Sequence, residues 1–172
     1  TLRQLGRVVI AVDGSASMQL TDEAAEKSAT TTKSRYQRAE DLLLKGTTPL
    51  LKKLAETQDV ELVALRGNNT QRLWWRRQGG KDTSAELPAS FDLPATTPIT
   101  NLDQSLRSAL GPVTAGTALV VLTDGQHNTS GSPEEFSATM KSAGAPVFTV
   151  GFGTEVPPPD LSLLDVVAPE SV

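Results

Sequence analysis

Short apolar runs, most of them rich in β-branched residues, recur along the chain and predict the strands of a buried sheet. Because most of these runs are apolar throughout rather than alternating, we expect the sheet to be covered on both faces. Only the four residues GNNT separate the second run from the third, which predicts a hairpin and an antiparallel edge strand. The predicted strands are residues 7–12, 60–66, 71–77, 117–123 and 145–152, with 162–168 as a candidate for a sixth.

Helical periodicity marks the segments between these strands. Apolar residues at spacings of three, four or seven predict helices within 36–54, with a break at Gly46 and Pro49. Thr48 is expected to cap the second of these helices, with Pro49 at its first helical position. Residues 21–33 are rich in Thr, Ala, Glu and Lys and predict a polar loop.

Two further helices are predicted in the second half of the chain. Residues 101–110 form one helical pattern, and residues 133–144 form another, with Ser132 as its cap and Gly144 as its stop. The connection at 78–99 is rich in Gly, Pro, Ser and Thr, so we expect little regular structure there.

Strands that alternate with helices predict an α/β fold. We expect a doubly wound, mostly parallel central sheet with one antiparallel edge strand and helices on both faces. One domain is expected over residues 1–156, and residues 157–172 read as a Pro-rich linker or last strand that leads to a further region. The chain is therefore expected to be part of a longer protein.

Two aspartates stand where this topology would bring them together. In open sheets of this class, ligands bind at the carboxyl ends of the strands, where the strand order reverses. With the common order 3-2-1-4-5-6, the reversal lies between the first and fourth strands. Asp13 directly follows the first predicted strand and Asp124 follows the fourth. The sequence thus predicts two neighbouring carboxylates at this edge.

Three hydroxyl side chains are expected at the same edge. Ser15 and Ser17 follow Asp13 at alternate positions, and Thr100 stands at the start of the helix at 101–110. Oxygen-only donors suit a hard cation such as Mg²⁺, which binds six oxygens at about 2.0–2.1 Å and retains water. We therefore predict a site for a hard cation such as Mg²⁺.

Each segment also has a simpler interpretation. DGSAS is a common turn composition, and Asp124-Gly125 is a plausible turn after a strand. Thr100 could serve as a helix N-cap, with Asp103 in the first helical turn. The metal site is favoured because all of these segments are expected at one edge of the sheet.

Composition excludes several other classes of site. The chain has no cysteine, which excludes disulfides and thiolate chemistry, and its single histidine is His127. A net charge of −4 gives no basic surface of the kind that nucleic-acid binding needs. No apolar run approaches the roughly 18 residues that span a bilayer, so we expect no membrane insertion by these residues.

The pattern Asp-x-Ser-x-Ser after a first apolar strand, Thr-Asn before a helix and VVLTDG after a later strand resembles the von Willebrand factor type A (VWA) domain. The resemblance covers about residues 7–153. The overall sequence pattern is similar to that of bacterial membrane-anchored members of the family. It implies a metal-ion-dependent adhesion site formed by Asp13, Ser15, Ser17, Thr100 and Asp124. It also implies that an acidic side chain of a protein partner completes the coordination of Mg²⁺ or Mn²⁺.

One departure leaves the threonine open. Many family members have Gly-Gly-Thr where this chain has Pro98-Ile99-Thr100, so Thr97 or Thr96 is an alternative ligand.

Three further features have functional and structural interpretations. The loop at 21–33 leaves from the metal motif and could influence partner choice, although most polar loops are only loops. His127 could contact a partner or act as a base, and a solvated loop histidine is the simpler interpretation. Trp74 and Trp75 should face opposite sides of a strand, with nearby arginines guarding an edge.

Three functions from different classes remain at this point. We favour a non-enzymatic, metal-dependent protein-binding domain with neither catalytic residues nor an organic cofactor. The alternatives are a Mg²⁺-dependent phosphoryl hydrolase with Asp13 as nucleophile, and a metal-free scaffold. Against the hydrolase, Ser15 stands where an aspartyl-phosphate site of the haloacid dehalogenase kind has a second Asp. The partner's identity, the oligomeric state and the compartment stay open.

Overall fold

A single mixed sheet organises the part of the chain that the computed structural model describes, which is residues 6–22, 33–79 and 86–154. Its five strands lie in the order β3-β2-β1-β4-β5. They are β1 (Arg7–Asp13), β2 (Asp59–Arg66), β3 (Asn69–Arg76), β4 (Thr117–Thr123) and β5 (Val147–Gly151). The candidate strand at 162–168 lies outside the described residues.

Four of the five strands are parallel to one another. β1 pairs with both β2 and β4, and β4 pairs with β5, all in parallel. β3 is antiparallel to β2 and lies at the edge, joined to it by a tight turn at Gly67 and Asn68. The predicted strand order and the predicted edge hairpin are therefore confirmed for these five strands.

Helices cover both faces of the sheet, which confirms the doubly wound α/β fold. Four α-helices and one short 3-10 helix are present in the described residues: Ala16–Gln19 (3-10), α1 (Arg35–Leu44), α2 (Leu50–Leu54), α3 (Leu102–Leu110) and α4 (Pro133–Ser142). Because alternate residues of a strand face opposite sides, Ile10 packs with α1 and α2, and Val9 packs with α3 and α4.

The helix boundaries agree with the sequence prediction except at α2. Ser34 begins α1 with a capping box, in which its hydroxyl accepts from the Gln37 N–H and the Gln37 side chain accepts from the Ser34 N–H. Thr48 does not cap α2, because Pro49 occupies the N-cap position with an extended ψ of 138°. Proline fixes φ but leaves ψ free, so it can end a loop as readily as begin a helix.

The predicted cap and stop of α4 are confirmed, and so is the irregular connection as far as it is described. Ser132 caps α4 by accepting from the Glu135 N–H, and Gly144 follows its end with a φ of 66°. Residues 86–99, the described part of the long connection after Gly79, contain only isolated bridges and bends. Within the described ranges, no helix has the length and apolar character needed to cross a membrane.

Candidate functional site

The two predicted carboxylates lie at the point where the strand order reverses. Asp13 is the last residue of β1, and Asp124 follows the last residue of β4, its parallel neighbour. Thr123 links the two strand ends, since its hydroxyl donates to Asp13 Oδ2 at 2.7 Å. The topology predicted from the sequence therefore brings the ends of these two strands together.

Asp13 is buried and held on both oxygens. Only 1% of the residue is exposed, and its Oδ1 accepts from the Ser15 N–H at 2.9 Å. Burial raises the pKa of this carboxyl above its usual value, and the nearby Asp124 raises it further. Hydrogen bonds from Thr123 and Ser15 oppose the shift by stabilising the charged form. A cation beside Asp13 would relieve the cost of burying this charge.

Gly14 lets the chain turn sharply out of β1. Its N–H donates to the Leu65 carbonyl at 2.9 Å, and a Cβ at this position would stand only 2.7 Å from the same oxygen. The following residues pair with the long connection, where Ala16 N–H donates to the Thr97 carbonyl at 2.8 Å. This close passage fixes the start of the 3-10 helix, and with it the two serines of the motif.

The serine hydroxyls lie side by side. Ser15 Oγ and Ser17 Oγ are 2.9 Å apart, and Ser15 is buried with 3% exposure. Neighbouring ligands around an octahedral Mg²⁺ at about 2.0–2.1 Å are themselves separated by about 2.9 Å. The spacing of the two hydroxyls thus fits two adjacent positions of such a shell.

Thr100 lies at the same edge and is not the cap of α3. Asn101 caps that helix by accepting from the Gln104 N–H at 3.1 Å, so the simpler interpretation of Thr100 is wrong. Thr100 is held instead by Asn128, which accepts from the Thr100 N–H at 2.8 Å and donates its own N–H to the Thr100 carbonyl at 3.2 Å. Both bonds use the Thr100 backbone, which leaves its hydroxyl to other contacts.

The Thr97 side chain is already engaged in a hydrogen bond to the backbone. Its hydroxyl donates to the Gly14 carbonyl at 2.7 Å, and its N–H donates to the same oxygen at 3.2 Å. Thr96 is exposed, whereas Thr100 is 5% exposed. Among the three threonines, these contacts favour Thr100 as the one available to a buried ligand.

Asp124 has a cationic partner that the sequence analysis missed. Its side chain is 1% exposed, and its Oδ2 accepts from Arg35 Nη1 at 2.9 Å. The same guanidinium donates to Asp22 Oδ1 from Nε at 3.0 Å and from Nη2 at 2.8 Å. Arg38 also bonds Asp22, at 3.1 Å.

The side chain of Asp22 is buried, whereas the sequence analysis placed this residue in a polar loop. Its side chain is only 3% exposed, so it contributes to the interior of the site rather than to a solvated surface. Most of that predicted loop, residues 23–32, lies outside the described residues. Asp22 carried no signal in the sequence, whereas Arg35 directly follows the Ser34 cap and could have been placed at the start of a helix.

The donor set fits a hard divalent cation with few charged ligands. It consists of two carboxylates, from Asp13 and Asp124, and of hydroxyls from Ser15, Ser17 and Thr100. In the described ranges no group of three or more His, Asp or Glu side chains is arranged to hold a metal. Any cation here would therefore rely on neutral hydroxyls and would keep a larger share of its charge for an outside anion.

His127 has a structural role. Its Nδ1 accepts from the Leu102 N–H at 3.2 Å at the start of α3, and its Nε2 lies 3.2 Å from the Gly131 carbonyl. An acceptor at Nδ1 assigns the proton to Nε2, which then donates to Gly131. The imidazole therefore satisfies a free N–H of the first helical turn. It is neither a solvated loop histidine nor free to act as a base through Nδ1.

The tryptophan pair divides as expected between the two faces of β3. Trp74 is 4% exposed in the core, and Trp75 is half-buried with the Arg72 guanidinium 4.3 Å from the centre of its indole ring. Trp75 also lines a cavity of about 310 Å³ that includes Arg7, the first residue of β1. This cavity is at the opposite end of β1 from Asp13, so it is separate from the candidate metal site.

Comparisons with known proteins agree with the fold. The family model of the von Willebrand factor type A domain matches residues 99–166, which include Thr100 and Asp124 but not the Asp13 motif. A search of curated proteins gives no match. Among solved structures, the chain is similar to proximal thread matrix protein 1 from the mussel byssus, with a TM-score of 0.56 and 19% identity. The match covers 87% of this chain and 36% of that protein.

The fold is thus a Rossmann-like α/β fold of the kind that VWA domains have. The family model matches only the second half of the chain, and the structural likeness, which covers most of it, concerns the fold alone. VWA domains generally mediate protein–protein interaction, which gives a class of function for the site to be tested against.

Proposed function

We propose that this chain is a VWA-type, metal-dependent protein-binding domain without enzymatic activity. In this proposal Asp13, Ser15, Ser17, Thr100 and Asp124 hold Mg²⁺ or Mn²⁺, directly or through water. The observation that carries it is the placement of the paired Ser15 and Ser17 hydroxyls directly after a buried carboxylate.

The partner is proposed to offer a carboxylate. A divalent cation held by two carboxylates and three neutral hydroxyls has coordination positions left for water or an outside oxygen. An acidic side chain is the oxygen donor that a hard cation of residual positive charge binds best. The cation would attract the partner's carboxylate, and the surrounding loops would provide a complementary surface for the partner.

The burial of Asp13 argues against the hydrolase alternative. A nucleophilic carboxylate must reach its substrate, yet both oxygens of Asp13 already accept hydrogen bonds and the residue is 1% exposed. The metal-free scaffold leaves the paired hydroxyls of Ser15 and Ser17 unexplained, whereas the ion pair between Arg35 and Asp124 is compatible with it.

Thermal unfolding with EDTA, Mg²⁺ or Mn²⁺ tests the proposal. A ligand that binds only the folded protein adds about 2.7 kcal/mol at a hundredfold excess over its Kd. We expect Mg²⁺ and Mn²⁺ to raise the melting temperature of the natural protein but not that of the Asp13→Ala variant. Asp103→Asn, in the first turn of α3 and outside the five proposed ligands, is the control and should respond as the natural protein does. No metal response at about 10 mM, well above a weak-site Kd of about a millimolar, would favour the scaffold.

A further inference from the structure

Arg35 is a buried cation placed against the candidate metal site. It is the first residue of α1, and its side chain is 9% exposed. Two buried aspartates share its guanidinium: Asp22 on Nε and Nη2, and Asp124 on Nη1. A charge this deeply buried is stable only when it is paired and hydrogen-bonded, and the two aspartates supply this pairing.

The residue is held in position by its backbone as well. The Arg35 N–H donates to the Leu20 carbonyl at 3.0 Å, and the neighbouring Ser34 pairs with Thr21 in an antiparallel bridge. Gly153, just after β5, lies alongside the guanidinium, since a Cβ there would be 3.9 Å from Arg35 Cζ. The placement of the guanidinium is thus a consequence of the fold rather than of a free surface side chain.

A guanidinium and a metal ion compete for the same carboxylate. Arg35 Nη1 occupies Oδ2 of Asp124, one of only two carboxylates in the proposed metal site. Two cations beside one carboxylate repel each other strongly where water is excluded. Metal binding therefore favours a state in which the hydrogen bond between Arg35 and Asp124 is weakened or broken.

Arg35 can give up its hydrogen bond to Asp124 without becoming an unpaired buried charge. Arg35 holds Asp22 with two of its nitrogens and Asp124 with a third, so it can release Asp124 and keep Asp22. Arg38, with 36% of its side chain exposed, bonds the other oxygen of Asp22 at 3.1 Å. Within the described residues, Arg38 has no hydrogen bond or ion pair to Asp124, which separates the roles of the two arginines.

We propose that Arg35 is an internal counter-cation of the site, which stabilises Asp124 in the absence of metal and lowers the affinity for the divalent ion by competing with it. This inference rests on the proposed function, because it concerns the same metal site. The affinity for metal would then depend on Arg35, the first residue of α1, as well as on the ligands.

Calorimetric titration with Mg²⁺ tests the inference on two variants of equal charge change. In Arg35→Gln, loss of the competing charged hydrogen bond should strengthen Mg²⁺ binding at least about tenfold. In Arg38→Gln, which removes a guanidinium from the same network but not from Asp124, affinity should stay at the natural value. Without metal, Arg35→Gln should melt at a lower temperature than the natural protein.

Two results would overturn the inference alone, and a third would overturn the proposed function as well. If Arg35→Gln binds Mg²⁺ as tightly as the natural protein, or more weakly, Arg35 does not compete and the inference is overturned. If Arg38→Gln gains affinity as much as Arg35→Gln does, the effect is long-range charge and the inference is again overturned. If neither the natural protein nor Arg35→Gln binds Mg²⁺, the proposed function fails together with the inference, which distinguishes that outcome from the first two.

A measurement on the natural protein covers the case in which Arg35→Gln does not fold. Nitrogen-15 NMR reports how freely each arginine guanidinium rotates, and a guanidinium bound by two carboxylates rotates slowly. Saturating Mg²⁺ should speed the rotation of Arg35 but leave Arg107, whose Nε donates to Asp103 at 2.8 Å, unchanged. Mg²⁺ binding with no change at Arg35 would overturn the inference.

Discussion

The Thr123 hydroxyl donates to Asp13 Oδ2 at 2.7 Å and joins two strand ends that are 110 residues apart in the chain. The Thr123 hydroxyl oxygen itself accepts from the Gly125 N–H at 3.0 Å, so one hydroxyl orients both the buried carboxylate and the turn that follows β4. This bond is the direct structural link between the two halves of the candidate site.

Two substitutions of Thr123 distinguish the contribution of its hydroxyl to stability from the contribution of its side-chain packing. Thr123→Val keeps the branched shape but leaves Asp13 Oδ2 without its donor, and it should lower the free energy of unfolding by about 1.5–3 kcal/mol. Thr123→Ser keeps the hydroxyl and should lose only about 1 kcal/mol, from one methyl group. Urea unfolding at neutral pH measures both values. Equal losses in the two variants would show that packing, not the hydrogen bond, matters here.

Gly14 is predicted to be intolerant of a side chain. In Gly14→Ala, the Cβ would meet the Leu65 carbonyl oxygen at 2.7 Å, so the backbone leading to Ser15 must shift. We expect a loss of about 1–3 kcal/mol, as for other overpacked sites, and weaker metal binding. Gly151→Ala is the matched control, because a Cβ there meets nothing within 4 Å. Thermal unfolding of the two variants decides the point, and similar stabilities would contradict it.

Tyr36 makes stability depend on alkaline pH. Burial raises the pKa of this phenol to about 12, with Glu40 adding to the shift. Because the unfolded chain ionises at a lower pH, about 10, the contribution of the neutral phenol to stability is complete below that pH and is lost as the pH rises to about 12. Tyr36 is the chain's single tyrosine, so absorbance of the ionised phenol reports it alone.

Tyr36→Phe is the matched variant for this effect. The Tyr36 hydroxyl is buried and has no hydrogen-bond partner in the described residues, so removing it should leave stability unchanged or raise it by up to about 1 kcal/mol. The variant should also lose the part of the alkaline decline that Tyr36 causes. Phenol ionisation at its ordinary pH in the folded protein would contradict this account.

His127 is predicted to support α3 rather than to act in chemistry. His127→Ala removes the acceptor of the Leu102 N–H and should cost about 1 kcal/mol, the usual cost of a lost helix cap. His127→Asn places an amide oxygen near the position of Nδ1 and should recover part of that loss. Mg²⁺ affinity should be the same in both variants. A loss of metal binding with full stability would show instead that His127 serves the site.

The topology of the sheet could be predicted because local signals agreed with it. Continuous β-branched runs mark strands that are buried on both faces, and the short GNNT turn leaves β3 no partner direction other than antiparallel. Once the strand order is known, the meeting of Asp13 and Asp124 follows from where each strand ends. Thr48 shows the limit of such signals, since a proline can be either the cap or the first residue of a helix.

The cationic side of the site could not be predicted. Arg35 and Asp124 are 89 residues apart, and only the packing of α1 against the sheet brings them within 2.9 Å. Asp22 reads as one more polar loop residue, because its burial depends on two arginines of a helix that begins 13 residues later. Long-range ion pairs leave no periodic trace in a sequence, whereas strands and helices do.

The central claim is that one divalent cation is held by five oxygen-bearing side chains, those of Asp13, Ser15, Ser17, Thr100 and Asp124. The most direct measurement is an anomalous difference map from a crystal grown with Mn²⁺. The account predicts one manganese peak beside the hydroxyls of Ser15 and Ser17, and no peak there in Asp13→Ala crystals grown in the same way. Manganese bound only elsewhere, or no peak at about 10 mM Mn²⁺, well above a weak-site Kd of about a millimolar, would contradict the account.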